Sequence, residues 1–296
     1  MINLQKIFYK ALSVAQLGRV WNILWLEGVV IISTASLVNN FVLLINFPLL
    51  VLLISAGFGM VAGTILDDIV DQNMDSELGL QHKCRPLVRG LISRKGAWTT
   101  WAFFATSSAI LAAMLGVVPF LGSLSVLVLG LLFSYELRLK QYFLLNELTI
   151  TLVFSIEMVV VSLYVSGAVA SPIPLLIIFS IFSVFAARSF EGFIDYDYDL
   201  KEGKRTLQTM FGFRKSLRII LLVLLLTYAI FIVIFHNFVI KGPIFIASMI
   251  VFCAIGVLSC MKLLISYTPE GALRAYRLGR FFGLGIFWSI LITSIG

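Results

Sequence analysis

Runs of about 20 apolar residues recur along the whole of this 296-residue chain, and they leave it few ways to fold. A helix needs ~20 largely apolar residues to cross ~30 Å of hydrocarbon. Nine runs approach that length: Ile23 to Leu43, Pro48 to Leu66, Ala97 to Leu115, Phe120 to Ser134, Leu148 to Val169, Ile173 to Phe190, Ile219 to Phe235, Ile244 to Leu264 and Phe281 to Ile295. The fourth is short, and Gly116 and Pro119 ahead of it predict a tight turn that joins it to the third as a hairpin. Composition agrees, with 60% hydrophobic and 12% charged residues and a mean hydropathy of +1.04. Soluble domains carry about twice that share of charge. With 22 Gly and 7 Pro, the chain is neither collagen-like nor low-complexity. The expected fold is an all-α integral membrane protein, a bundle of about nine transmembrane helices forming one domain over residues 1–296.

Charge placement orients the bundle. The chain holds 22 Lys and Arg against 15 Asp and Glu, a net charge of +7. The polybasic, aromatic-rich surface of a nucleic-acid binder is absent, so no nucleic-acid partner is expected. If nine helices alternate, every cation except Lys241 falls on one side. The positive-inside rule makes that side cytoplasmic, with the amino terminus inside and the carboxyl terminus outside, in a multi-pass protein of the cell membrane. Leu4, Ile7, Phe8, Ala11 and Ala15 recur at helical spacing beside Lys6 and Lys10, which predicts an interfacial helix, the alternative being a frayed terminus. Cys84, Cys253 and Cys260 form neither a disulfide framework nor a CxxC metal pattern.

The scarce acids are concentrated. Asp67, Asp68, Asp71, Asp75 and Glu77 crowd the end of the second run, and Glu191, Asp195, Asp197, Asp199 and Glu202 the end of the sixth, ten of the 15 in all. At 3.6 residues per turn, Asp68, Asp71 and Asp75 share one helix face, as do Glu191, Asp195 and Asp199. Like charges at this spacing oppose one another, and at a helix carboxyl end they also oppose the dipole. A divalent cation would compensate, and a hard, all-oxygen donor set selects Mg²⁺ or Ca²⁺. His82 is the only histidine nearby, which argues against zinc. Cations follow both stripes, Lys83 and Arg85 after the first and Lys204 and Arg205 after the second. Carboxylates, a metal and flexible cations together suit a diphosphate. Most charge runs only set topology; two acidic stripes on one side, each followed by cations, favour a site.

These residues resemble the UbiA superfamily of intramembrane prenyltransferases. The family's first motif, NDxxDxxxD, corresponds to Asp67, Asp68, Asp71 and Asp75, and its Arg-Pro-Leu with a nearby Gly to Arg85-Pro86-Leu87 and Gly90. The second, DxxxD leading to Gly-Lys-Arg-Thr-Leu, corresponds to Asp195, Asp199 and Gly203 to Leu207. Arg19 and Asn22 entering the first helix, and Tyr135 and Lys140 after the fourth, are smaller echoes. The chain departs from the pattern with Asp67 for Asn, Gln208 where many members have Pro, no Pro in Arg19-Val20-Trp21-Asn22, and a slightly long gap from Asp75 to Arg85.

The resemblance implies Mg²⁺ held by Asp67, Asp68, Asp71 and Asp75 together with Asp195 and Asp199. It implies a polyprenyl diphosphate donor bound by Lys83, Arg85, Lys140, Lys204 and Arg205, and an aromatic or lipid acceptor. Loss of diphosphate would leave an allylic cation, for which Tyr135, Phe193, Tyr196 and Tyr198 are candidate aromatic shields. Asn22, Asn146 and Glu191 join Tyr135 and Tyr196 as expected pocket residues. Glu27, Glu147 and Glu157 lie in or beside apolar helices, where a carboxylate is costly and often functional. The competing class is a cation-coupled transporter, although such proteins place their acids near the bilayer midplane on broken helices. A CDP-alcohol phosphotransferase is disfavoured because its DGxxAR start is absent.

Overall fold

The computed structural model describes residues 12–39, 46–77, 85–136, 142–201, 203–240 and 242–295. Lys83, Lys140, His82, Cys84 and most of the expected interfacial helix lie outside the described residues, as does the side chain of Asn22. The described residues are helical and contain no strand. Their contacts divide into two compact units, Met1–Gly28 with Ile45–Leu139, and Val29–Leu44 with Lys140–Gly296.

In the first unit, α2 (Phe47–Val70) leads through the short α3 (Gln72–Glu77) toward the hairpin of α4 (Arg94–Leu115) and α5 (Val117–Leu131). The expected turn is present: α4 stops at Gly116, φ +120°, and α5 starts at the next residue. Helices without water between them associate through small residues and interhelical hydrogen bonds. Ser55 and Ser108 show this directly, since each hydroxyl donates to the other's carbonyl at 2.8 Å. Elsewhere along the same pair Val61, Ala62, Ile65 and Ile69 of α2 cluster with Ala97, Phe104 and Ala105 of α4. A π-helical turn, Leu132–Glu136, continues α5. The helix α1 (Val20–Val38) begins in this unit and ends in the second.

The second unit contains α6 (Phe143–Ser166), α7 (Pro172–Arg188), the short α8 (Glu191–Ile194), α9 (Tyr196–Lys201) and α10 (Leu207–Phe211), then α11 (Phe213–Phe238), α12 (Pro243–Ile265), α13 (Pro269–Gly283) and α14 (Gly285–Ile295). Helix α6 packs on α7, and α7 also packs on α11 and α13. Phe179, Tyr228 and Phe231 meet edge to face between α7 and α11. A Cβ on Gly283 would lie 2.7 Å from the Cβ of Ala187, so glycine lets α13 approach α7.

Among the described residues seven helices are long and apolar enough to cross a membrane, and α13 with α14 makes an eighth if that bent pair is one span. The first run corresponds to α1, whose described apolar part is the shorter Leu26–Val38. The last run differs from a single straight helix: α13 and α14 meet at 51°. Leu284 between two glycines opens the helix there, and the buried Tyr228 hydroxyl donates to the Phe282 carbonyl beside the break.

Candidate active site

Helix α2 ends on Asp71, φ −87° and ψ 2°, yet the helical hydrogen bonding continues. The Asp71 amide donates to the Asp67 carbonyl at 2.9 Å, and the Asp75 amide to the Asp71 carbonyl at 2.8 Å. The acidic stripe therefore survives a small break centred on its middle member. Asp68 and Asp75 are buried, 2% and 1% exposed. Arg85 Nη1 donates to Asp68 Oδ1 at 3.0 Å and also to Asp75 Oδ2. Arg19 Nη2 reaches Asp68 Oδ1 at 2.8 Å.

Local turns hold both arginines. After Arg85-Pro86-Leu87, Gly90 adopts φ +66°, its amide bonds to the Leu87 carbonyl, and the Leu91 amide bonds to the Pro86 carbonyl at 2.9 Å. This pair of bonds is the Schellman closure, which needs a residue at ease with positive φ. Arg19 itself has φ +48°, a conformation that costs a non-glycine residue free energy and is found where function holds it. The adjacent Gly18 presses on α2, where a Cβ would lie 2.6 Å from Val61 Cγ1. The π-helical turn adds Ser134, whose hydroxyl donates to Asp67 Oδ1 at 3.3 Å, and carries Tyr135 edge-on to Trp98.

The second stripe repeats the device. Helix α8 ends on Asp195, φ −99° and ψ 10°, and the Asp199 amide donates to the Asp195 carbonyl at 2.8 Å. Gly203, φ +66°, makes a second Schellman closure, with the Lys204 amide on the Asp199 carbonyl at 2.9 Å. That turn returns the Lys204 ammonium to Asp199 Oδ1 at 3.1 Å. Burial raises the Asp199 carboxyl above the usual carboxylate range, against the opposing pull of Lys204. Arg205 is exposed, and its backbone pairs with Tyr142 ahead of α6. Gln208, which replaces the more usual Pro, is buried, donates to the Ser189 carbonyl and sits on Gly192.

One further cluster adjoins this stripe. Arg188 Nη2 pairs with Glu191 Oε2 at 2.9 Å, while its Nε lies 3.9 Å from Glu147 Oε2. Asn146 Nδ2 donates to Glu147 Oε1 at 2.9 Å, and Tyr276 lies 3.5 Å from Glu191 Oε1.

The sequence model of the UbiA prenyltransferase family matches residues 21–291. The chain belongs to the UbiA prenyltransferase family. It is an enzyme of the prenyl-transfer class and a multi-pass membrane protein. No curated protein matches the chain by sequence. Among solved structures, digeranylgeranylglyceryl phosphate synthase has a TM-score of 0.70 at 18% identity, over 97% of this chain and 99% of that one. A UbiA homologue from Archaeoglobus fulgidus bound to GPP and Mg²⁺ has a TM-score of 0.65 at 18% identity, over 94% and 99%. The apo UbiA homologue from Aeropyrum pernix K1 has a TM-score of 0.70 at 19% identity, over 93% and 98%. At these identities the likeness is one of fold.

Within this UbiA prenyltransferase the structure joins Asp68, Asp75 and Arg85 in one cluster, and Asp199 and Lys204 in another. Phe193 is a packing residue, fully buried against Phe190 and Phe213, whereas Tyr196 is half-buried and Tyr135 exposed. Sequence reasoning passed over Arg188 and Ser134. Arg188 could have been found as a cation three residues before Glu191 on the same helical face; nothing in the sequence signalled Ser134. Among the described residues no three Asp, Glu, His or Cys side chains are gathered for a metal. The carboxylates instead meet arginine and lysine. Such an arrangement fits Mg²⁺, which commonly takes one or two carboxylates and completes its shell with substrate phosphates and water.

Proposed function

We propose that this UbiA prenyltransferase, one catalytic domain over residues 1–296, moves an isoprenyl group from a polyprenyl diphosphate to an aromatic or lipid acceptor at the cytoplasmic face. The observation that carries the reading is the duplicated break: each motif sets DxxxD across a helix interruption and returns a downstream cation to its last aspartate. The binding of GPP and Mg²⁺ by the Archaeoglobus homologue supports it.

Asp67, Asp68, Asp71, Asp75, Asp195 and Asp199 are the residues that would hold Mg²⁺. When bound, the ion supplies positive charge to the departing diphosphate. Arg85 and Lys204 exchange their carboxylate partners for diphosphate oxygens, joined by Arg205, Lys83 and Lys140. Departure of diphosphate leaves an allylic cation, for which Tyr135 and Tyr196 are the candidate aromatic shields. Each aromatic face contributes ~0.5–1 kcal/mol where exposed and ~2 kcal/mol or more when desolvated. The polyprenyl tail lies among apolar helices, gaining ~0.8 kcal/mol per buried CH₂. With the amino terminus inside, a reporter fused after Gly296 appears outside; a cytoplasmic reporter overturns the orientation.

The test is diphosphate release from geranylgeranyl diphosphate by the full chain in nanodiscs. Release should require Mg²⁺ and be lost in Asp71→Asn and Asp199→Asn. A protein that binds no prenyl diphosphate yet carries an ion across liposomes is a transporter, and the reading is then wrong.

A further inference from the structure

Glu147 opens the membrane-spanning part of α6 and is only 8% exposed. One carboxylate oxygen, Oε1, accepts from Asn146 at 2.9 Å, whereas Oε2 is buried without a hydrogen-bond donor. Among the described residues the nearest cation, Arg188 Nε, is 3.9 Å from Oε2, beyond hydrogen-bond reach. A carboxylate oxygen left without a donor in an apolar setting is costly. Arg188 supplies positive charge but is drawn toward Glu191, which it pairs with at 2.9 Å. Glu191 also lies within electrostatic reach of both Glu147 and Asp199, so the cluster is continuous with the second aspartate motif.

We propose that Glu147 Oε2 receives the proton of the acceptor's nucleophilic hydroxyl, an assignment that rests on the prenyltransferase reading. The C1–O bond to diphosphate breaks with its electron pair leaving on diphosphate. The acceptor oxygen forms a bond to C1, and its proton passes to Glu147 Oε2. Asn146 fixes the carboxylate through Oε1, and Arg188 adds positive charge beside it without a hydrogen bond. Among the described residues the charged groups facing Glu147 are Arg188 at the end of α7 and Glu191 of α8, and their sum with Glu147 is one negative charge. Arg188 is already engaged by Glu191, so a carboxylate on the acceptor would meet net repulsion. The site therefore selects an uncharged alcohol or phenol over a hydroxybenzoic acid.

The test uses the full chain in nanodiscs with geranylgeranyl diphosphate, Mg²⁺ and three acceptor probes: 1-monooleoylglycerol, 2-naphthol and 4-hydroxybenzoate. The wild type should prenylate at least one neutral probe about tenfold faster than 4-hydroxybenzoate. A positioned base contributes roughly 10²–10⁴-fold, so Glu147→Gln should lower transfer at least ~100-fold. Binding of geranylgeranyl thiodiphosphate should hold within about threefold, which also reports that the variant is folded, and Glu147→Asp should restore part of the transfer. With the base gone, residual transfer should climb about tenfold per pH unit as hydroxide takes its place. Transfer retained in Glu147→Gln, faster use of 4-hydroxybenzoate, or failure of both neutral probes overturns the inference. Failure of the wild type to bind the thiodiphosphate would instead overturn the prenyltransferase reading.

Discussion

Arg85→Met tests whether the first aspartate cluster is an electrostatic unit as well as a donor site. Arg85 bridges Asp68 and Asp75, whose side chains are 2% and 1% exposed, and is itself 18% exposed. Removing one partner of a buried pair typically costs ~3–5 kcal/mol, because the remaining charge is stranded. Asp68 keeps Arg19 at 2.8 Å, so the loss lies at the lower end, ~3 kcal/mol. Asn at position 75 has nearly the same shape and no charge. Arg85→Met/Asp75→Asn should therefore recover ~2 kcal/mol of that loss, a coupling within the range seen for residues in contact. Equilibrium unfolding in mixed SDS micelles, followed by tryptophan fluorescence, measures both quantities without requiring activity. A single-variant cost below ~1 kcal/mol, or a double variant as unstable as the sum of its parts, would refute the bridge as a stabilising element.

Gly203→Ala places a Cβ at φ +66°, which should cost ~1–2 kcal/mol in the same unfolding assay and weaken prenyl thiodiphosphate binding by displacing Lys204. Asp199 gives a pH signature. Its carboxyl is raised from 3.8 in the native state, so that state binds the proton more tightly, and in metal-free protein its contribution to stability falls as pH rises through the window above 3.8. Lys204→Met should steepen that fall and Asp199→Asn should remove it, read as thermal midpoints across pH. Gly192→Ala would bring a Cβ to 2.2 Å from Gln208 Oε1, pushing the amide off the Ser189 carbonyl at a cost of ~1–3 kcal/mol. The same change should cost less in a Gln208→Ala background.

Helix positions and the two motifs were legible because each leaves a periodic trace. Apolar runs report lipid contact, and the Gly116 turn between α4 and α5 is a local backbone matter. The bend between α13 and α14 was not legible, because Gly283, Leu284 and Gly285 extend the apolar run while loosening its hydrogen bonding. At the site, the spacing of Asp71, Asp75, Asp195 and Asp199 gave away the acidic stripes. It did not reveal the helix breaks at Asp71 and Asp195, since one residue with ψ near 0° leaves the 3.6-residue period almost intact. The approach of Arg188 to Glu147 was hidden because the two are 41 residues apart in the chain, whereas its pairing with Glu191 three residues on was within reach of the helical period.

The Schellman turn at Gly203 gives the gap between Asp199 and Lys204 a meaning of its own. The residues between Asp199 and Gly203 are spacers whose number fixes where the chain reverses. One residue inserted among them would rotate Lys204 about 100° around the helix axis and carry its ammonium off Asp199, with every motif residue still present. Related chains should therefore be aligned here by counting from the aspartate to the glycine, and one with the right letters at the wrong distance should be read as having lost the contact.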